Sequence, residues 1–239
     1  MKLPTLFTVA LTAGLSHAAG SAAATYTETF PFDPAFSQEG NLPLVGWCGG
    51  NAGDAFCQTP VGGEGAVSAG AGLGGAPGFA FWSKTGQNAD SFLFTDEFTF
   101  RTGQNPILSW HQRDSGVSDP MHIALLVGTD WYISDATFQQ PLVTDWILMS
   151  AQLDMLTWFV RGTGGNTSVL PGGGVATGGV LLPEDELVSA FGFWWDGPKT
   201  ATSRIDDVSV SIVPVPAALP LLLAGIGGLA LVARRRKTA

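Results

Sequence analysis

Only 11 of the 239 residues are Lys or Arg, three are His, two are Cys and two are Tyr, and charged residues make up 13% of the chain. So thin a supply of cations argues against nucleic acid as a partner, because phosphate binding needs a basic surface. Two cysteines cannot build a disulfide-dense miniature domain or a four-cysteine zinc site. Helical periodicity is nearly absent, which argues against a helical bundle. What is present argues against disorder. The chain is 45% hydrophobic and holds 15 Phe and 8 Trp, with 32 Gly and 15 Pro to punctuate them, and a disordered chain lacks such apolar mass.

The charge is uneven. All 20 acidic residues fall between Glu28 and Asp207, together with only six of the basic ones, so this stretch carries a net charge of −14 although the whole chain carries −9. The other basic residues lie at the two ends. Residues 1–24 run from Lys2 through an apolar stretch, Leu3 to Leu15, into Ser16-His17-Ala18 and Ala22-Ala23-Ala24. That order is the pattern of a secretory signal peptide, with cleavage after Ala18 or Ala24. At the other end, 213–239, a Pro motif precedes an uncharged apolar run from Ala217 to Ala233 and a basic tail of Arg234, Arg235, Arg236 and Lys237. The run is just long enough to span a bilayer as a transmembrane helix, with the basic tail on the cytoplasmic side.

Pro214-Val215-Pro216-Ala217-Ala218-Leu219-Pro220, the Gly-rich helix after it and the Arg run resemble the PEP-CTERM sorting signals of Gram-negative bacteria, in the variety written VPLPA. Val215 stands where that variety has Leu. The resemblance implies an exosortase-type processing enzyme as partner. It also implies transient membrane anchoring and delivery to the cell surface or the extracellular matrix. A plain anchor that is never cut is the alternative.

Between the ends, 25–212 reads as strands. Phe92, Phe94, Phe98 and Phe100 share one parity, and Ile123, Leu125 and Val127 repeat the pattern before a turn at Gly128-Thr129-Asp130. Leu187 to Trp195 is a long aromatic strand, and Asp145 to Thr157, rich in Trp and Ile, is also read as strand. Gly, Pro, Asn and Asp clusters separate these runs. The expected fold is all-β, a two-sheet antiparallel jelly-roll sandwich.

Cys48 and Cys57 flank a Gly-rich loop, and in an exported chain they are expected to form a disulfide. Histidine supply is thin once His17 leaves with the signal. His111 lies in Ser109-Trp110-His111-Gln112-Arg113-Asp114-Ser115, but sequence adjacency is not triad geometry and no Gly-x-Ser-x-Gly elbow is present. Asp96, Glu97, Glu184 and Glu186 could supply the carboxylate pair of a glycan-active hydrolase, though no motif singles any of them out.

The ends of the domain are more informative. Asp206 shares parity with Val208, Val210 and Ile212, and Glu28 shares parity with Tyr26 and Phe30, so alternation points both carboxylates inward. A buried carboxylate needs a cation or donors. A structural Ca²⁺ held by Glu28, Asp206 and Asp207 would serve, as would Arg204 in a salt bridge. For ligand binding, Trp131-Tyr132 and Trp194-Trp195 each place neighbours on opposite faces of a strand. One ring of each pair is then expected to face out as a platform for a sugar.

Ile205-Asp206-Asp207-Val208, the early Leu42-Pro43-Leu44-Val45-Gly46-Trp47 and the stretches at Asp90-Ser91-Phe92-Leu93-Phe94 and Pro106-Ile107-Leu108-Ser109-Trp110 resemble the concanavalin A-like jelly-roll group. That group includes MAM-like and choice-of-anchor J domains and several carbohydrate-binding modules. The resemblance implies a calcium joining the last strand to the first, on Asp206 and Glu28. The resulting expectation is a non-enzymatic, adhesin-like or polysaccharide-binding module of the cell surface, against a secreted hydrolase or a purely structural matrix protein. The exported protein should show by intact mass a start at Ala19 or Thr25 and the loss of residues 234–237. Recovery from the surface with both ends intact would count against the sorting assignment.

Overall fold

The computed structural model describes residues 25–36, 38–51, 66–82, 91–114, 121–138, 145–162, 177–195 and 203–212. The expected signal peptide lies outside the described residues, as do Pro214, Pro216, Ala217, Arg234, Arg235 and Arg236 of the expected sorting signal. No helix among the described residues is long and apolar enough to cross a membrane.

The described elements are nearly all strands. In chain order they are β1 Thr25–Glu28, a short helix α1 Gln38–Leu44, β2 Trp47–Asn51, β3 Ala66–Val67, β4 Ala80–Trp82, β5 Ser91–Thr95, β6 Phe100–Arg101 and β7 Pro106–Asp114. After these come β8 Met121–Val127, β9 Asp130–Ser134, β10 Ile147–Gln152, β11 Trp158–Gly162, β12 Thr177–Val180, β13 Leu187–Trp195 and β14 Ser203–Ile212. They form two antiparallel sheets. One has the order β10-β7-β14-β4-β3 with β1 also on β14, and the other has the order β12-β11-β9-β8-β13-β5-β2 with β6 also on β13.

The core lies between the sheets. Leu108, Trp110, Ile205, Val208 and Val210 of the first sheet meet Ile123, Leu125, Phe191, Phe193 and Trp195 of the second, all at 0% exposure. Rings interlock across the gap: Trp110 meets Phe193 edge-on at 5.1 Å and Phe138 at 5.2 Å. β7 shows why alternation works here. Its side chains from Pro106 to Asp114 alternate buried and half-buried without a break, as expected of a strand with one face on the core.

Parity misleads at the phenylalanines. Ser91 to Arg101 is not one strand: the ladder stops after Thr95 and resumes at Phe100. Phe98 and Phe100 therefore pack toward the inter-sheet core, whereas Phe92 and Phe94 lie on the opposite face of their sheet, in a second apolar layer. The stretch 145–157 is strand only as far as Gln152, after which Leu153–Met155 forms a 3₁₀ turn. Within that turn the Asp154 carboxylate accepts the backbone N–H groups of Gly103 (3.1 Å) and Asn105 (2.9 Å), tying it to the β6–β7 connection.

Trp110 is fully buried in the inter-sheet core against Phe138 and Phe193, so Trp110→Ala should lower unfolding free energy by about 3–5 kcal/mol. Denaturant titration measures it, and a loss below 1 kcal/mol would contradict the assigned packing.

Candidate functional site

Along one edge β14 changes partner. Ser203–Ile205 pair with β4, and Val208–Ser211 pair with β1. Asp206 and Asp207 occupy the gap between these partners. On its other edge β14 carries a bulge there: Asp206 opposes His111 and Ser209 opposes Ser109, so three steps on β14 match two on β7. Asp207 takes up the extra residue with φ +49, a left-handed conformation that Asp tolerates better than most residues.

The bulge corrects the parity reading of Asp206. Ile205 and Val208 both face the core, so Asp206 falls on the outer face of its sheet with His111. It is nevertheless only 4% exposed, because the Gly70–Gly78 segment crosses over it. Leu73 N–H donates to Asp206 Oδ2 at 2.7 Å, and Asp207 N–H donates to Oδ1 at 2.8 Å. A Cβ on Gly72 would collide with Gly78 O and Asp206 Oδ2, and one on Gly78 (φ +126) would strike Phe30 O. Only glycine lets the segment approach so closely.

Glu28, at the end of β1, is half-buried. Its Oε1 accepts Phe30 N–H at 2.6 Å, and Phe30 is held at φ +47 with its ring buried edge-on against Trp47 at 5.1 Å. Between Glu28's strand and Asp206 opens a cavity of about 450 Å³, lined by Thr29, Pro31, Leu73, Pro77, Asp206 and Asp207.

The electrostatics of this notch are one-sided. Burial, then the charges of Glu97 and Asp206, raise the pKa of Glu28 against the backbone donors Phe30 and Thr29. Burial, then the charge of Asp207, raise Asp206 against the donors Leu73 and Asp207 and the nearby His111. His111 Nδ1 lies 3.3 Å from Asp207 Oδ2 without an aligned hydrogen bond, and it is a cation only when protonated. Arg204 does not neutralise the notch. Its stabilising charge partner is Asp114, and its guanidinium lies over the Phe79 ring.

Asp206 and Asp207 line this notch, whereas Glu28 does not line it and is linked to Asp206 by charge alone; carboxylate oxygens are the hard donors that Ca²⁺ takes. Among the described residues no three acidic, His or Cys side chains form a ready ion cage, so an ion there would draw on backbone carbonyls and water as well. Glu97 adds to the field at Glu28, whereas Glu184 and Glu186 sit exposed around the turn before β13.

The aromatic platform is not where alternation placed it. Trp131 (0%), Trp194 (4%) and Trp195 (0%) are all buried, and Tyr132 is half-buried against the inter-sheet core. Trp195 faces that core too, its indole N–H donating to Ser203 Oγ at 3.2 Å. Trp131 and Trp194 belong to the second layer, on the far face of the eight-stranded sheet, with Cys48, Phe92, Phe94 and Ile133. The His122 ring lies tilted against Trp194, centroids 4.9 Å apart, its Nδ1 2.6 Å from Ser134 O. The Trp131 Nε1 is buried without a hydrogen-bond partner. The layer is half-open at Phe159 of β11. Cys48 is buried in this layer; Cys57, its expected disulfide partner, lies outside the described residues.

Sequence reading missed the Gly70–Gly78 crossing and the pairing of His111 with Asp207. The density of glycine around 70–78 was a signal of close approach, but nothing local says to what.

No protein-family model matches the chain, and no curated protein matches it. Among solved structures it is similar to the family 11 carbohydrate-binding module of a Clostridium thermocellum cellulosomal cellulase, at 9% identity and TM-score 0.43 over 72% of this chain and 89% of that one. It is also similar to arcelin-5, a lectin-like defence protein of Phaseolus vulgaris, at 9% and 0.38 over 82% and 100%. A xylan-binding module of Roseburia intestinalis is similar at 12% and 0.31 over 72% and 98%. Likeness at this level assigns no residue a role.

The raised carboxylates make a signed prediction. A group raised in the folded state stabilises fully below its unfolded pKa, near 4, and that stability is lost as pH rises through the native value. In metal-free buffer the melting temperature should fall as pH rises above about 4 and the raised groups are forced to ionise. Asp206→Asn should fall less, and identical profiles would show that Asp206 is not strained.

Proposed function

We propose that this chain is an exported jelly-roll module of the concanavalin A-like kind that binds carbohydrate without catalysis, with Ca²⁺ joining its first and last strands. The signal-like and PEP-CTERM-like ends support delivery by an exosortase system to the cell surface or extracellular matrix.

One observation carries the carbohydrate reading: the eight-stranded sheet is aromatic on both faces. A two-sheet sandwich needs one apolar face per sheet, and the inner one is already supplied by Phe191, Phe193 and Trp195. The outer layer of Phe92, Phe94, Trp131 and Trp194 is surplus to that need. Rings of this kind stack on the apolar faces of sugars, and the unpartnered Trp131 N–H offers a donor to a hydroxyl. Phe159, half-open at the edge, is the side from which a glycan would reach the layer.

The absence of catalysis rests on how the carboxylates are used. Glu28 and Asp206 spend oxygens on the backbone amides of Phe30, Leu73 and Asp207, an anchoring arrangement that leaves little freedom for proton transfer to a glycosidic oxygen. Calcium at the notch would relieve the repulsion between these groups.

Burial of Trp131 and Trp194 favours a second reading, a purely structural matrix protein, and the same experiment separates the two. On an array of neutral polysaccharides the full-length chain should bind. Trp194→Ala should abolish the signal, and Trp131→Phe, which keeps an aromatic face but replaces the indole and removes its N–H, should weaken it. A blank array would support the structural role.

For the ion, Ca²⁺ at about a hundredfold over its Kd adds about 2.7 kcal/mol, or roughly 5–10 °C in melting temperature for a domain of this size. Chelator should reverse the gain and Asp206→Asn should abolish it. An unchanged melt would remove the ion from the account.

A further inference from the structure

The outer face of the six-stranded sheet carries a row that neither the core nor the acidic notch uses. Phe81 on β4 is opposite Arg204 on β14, and Arg204 is opposite Arg113 on β7. Trp146, just before β10, lies on the far side of Arg113, its ring centroid 4.8 Å from the guanidinium carbon. Phe79 leans over both arginines, 5.9 Å from each guanidinium carbon. Two cations directly opposite in an antiparallel pair are destabilising, so the arrangement calls for an explanation.

Asp114 lends Arg204 a favourable charge, but burial and the Arg113 charge outweigh it. The Arg113 Nε is buried without an acceptor. Rings lie over the guanidinium faces, so the N–H edges are the parts turned toward an incoming anion. A guanidinium edge is a planar fork that matches a carboxylate with two parallel hydrogen bonds. The stretch from Glu28 to Asp207, net −14, sets a further condition. Its field opposes polyanions in general, so an anion held here must be gripped locally, through a carboxylate carried on a body with an apolar face. Trp146, Phe81 and the 61%-exposed Leu148 give that body an apolar surface to lie against.

We propose that Arg113 and Arg204, framed by Trp146 and Phe81, bind the carboxylate of an acidic sugar in an extracellular polysaccharide. The inference rests on the carbohydrate-binding reading but uses the other sheet. Affinity electrophoresis of the full-length chain in mild detergent tests it, with polygalacturonate, its fully methyl-esterified form or polyglutamate in the gel.

Polygalacturonate should retard the wild-type chain. Arg113→Gln and Arg204→Gln, on separate strands, should each weaken retardation at least tenfold while melting within a few degrees of wild type. The ester, which has lost the carboxylate, should show no dependence on either arginine. Equal retardation of wild type and both variants would overturn the site, and polyglutamate acting as well as polygalacturonate would overturn its specificity for sugar. Retention of neutral-glycan binding with no response to polygalacturonate would overturn this inference alone, whereas failure with every glycan would overturn the carbohydrate reading too.

Discussion

A strand has two edges, and β14 divides one of them between two partners. β4 takes its first residues and β1 its last, because β4 is only three residues long and β1 only four, leaving Asp206 and Asp207 unpaired on that side. The bulge on the opposite edge turns this gap into a site. It moves Asp206 to the outer face, gives Asp207 a left-handed backbone, and restores the inward phase at Val208. The Gly70–Gly78 crossing, the kink at Phe30 and the cavity between them all form around that break.

The notch has a consistent physical character. Backbone N–H groups satisfy oxygens of Glu28 and Asp206 but bring no net charge, so burial first and repulsion among the acids second keep both reluctant to ionise. Among the described residues His111 lies beside Asp207 and carries charge only if protonated. Under the proposed reading, a hard divalent ion would supply the missing charge without displacing the amides. Arg204 lies two residues before Asp206 on the same outer face, yet it is committed elsewhere: its guanidinium lies over the Phe79 ring and its favourable charge partner is Asp114.

The two sheets differ in what their outer faces carry. The eight-stranded sheet has a dry aromatic layer and the six-stranded sheet has cations laid against rings. Neither arrangement is needed to hold the sandwich together, because the inter-sheet core already buries Trp47, Trp110 and Trp195 with their neighbours. Under the proposed reading, the two chemically distinct outer faces would let the molecule meet polymer on more than one side.

Alternation in β7 and the long apolar runs of β8 and β13 were legible in the sequence, since pleating obliges successive side chains to opposite faces whatever the surroundings. The same local rule, with composition, determined that the chain is a β protein with an acidic middle and aromatic strands. It could not register breaks in a ladder: Phe92 and Phe98 share parity but not a face, and Asp206 escapes the core through one inserted residue. Which tryptophans face out was decided only by the tertiary structure, because both faces of the eight-stranded sheet are covered, and period-2 patterning reports which side of a strand a ring is on, never what lies against that side. The meeting of Glu28, Leu73 and Asp206, and of Arg113, Arg204 and Trp146, likewise depends on strand order and register, which are set by packing between segments far apart in the chain.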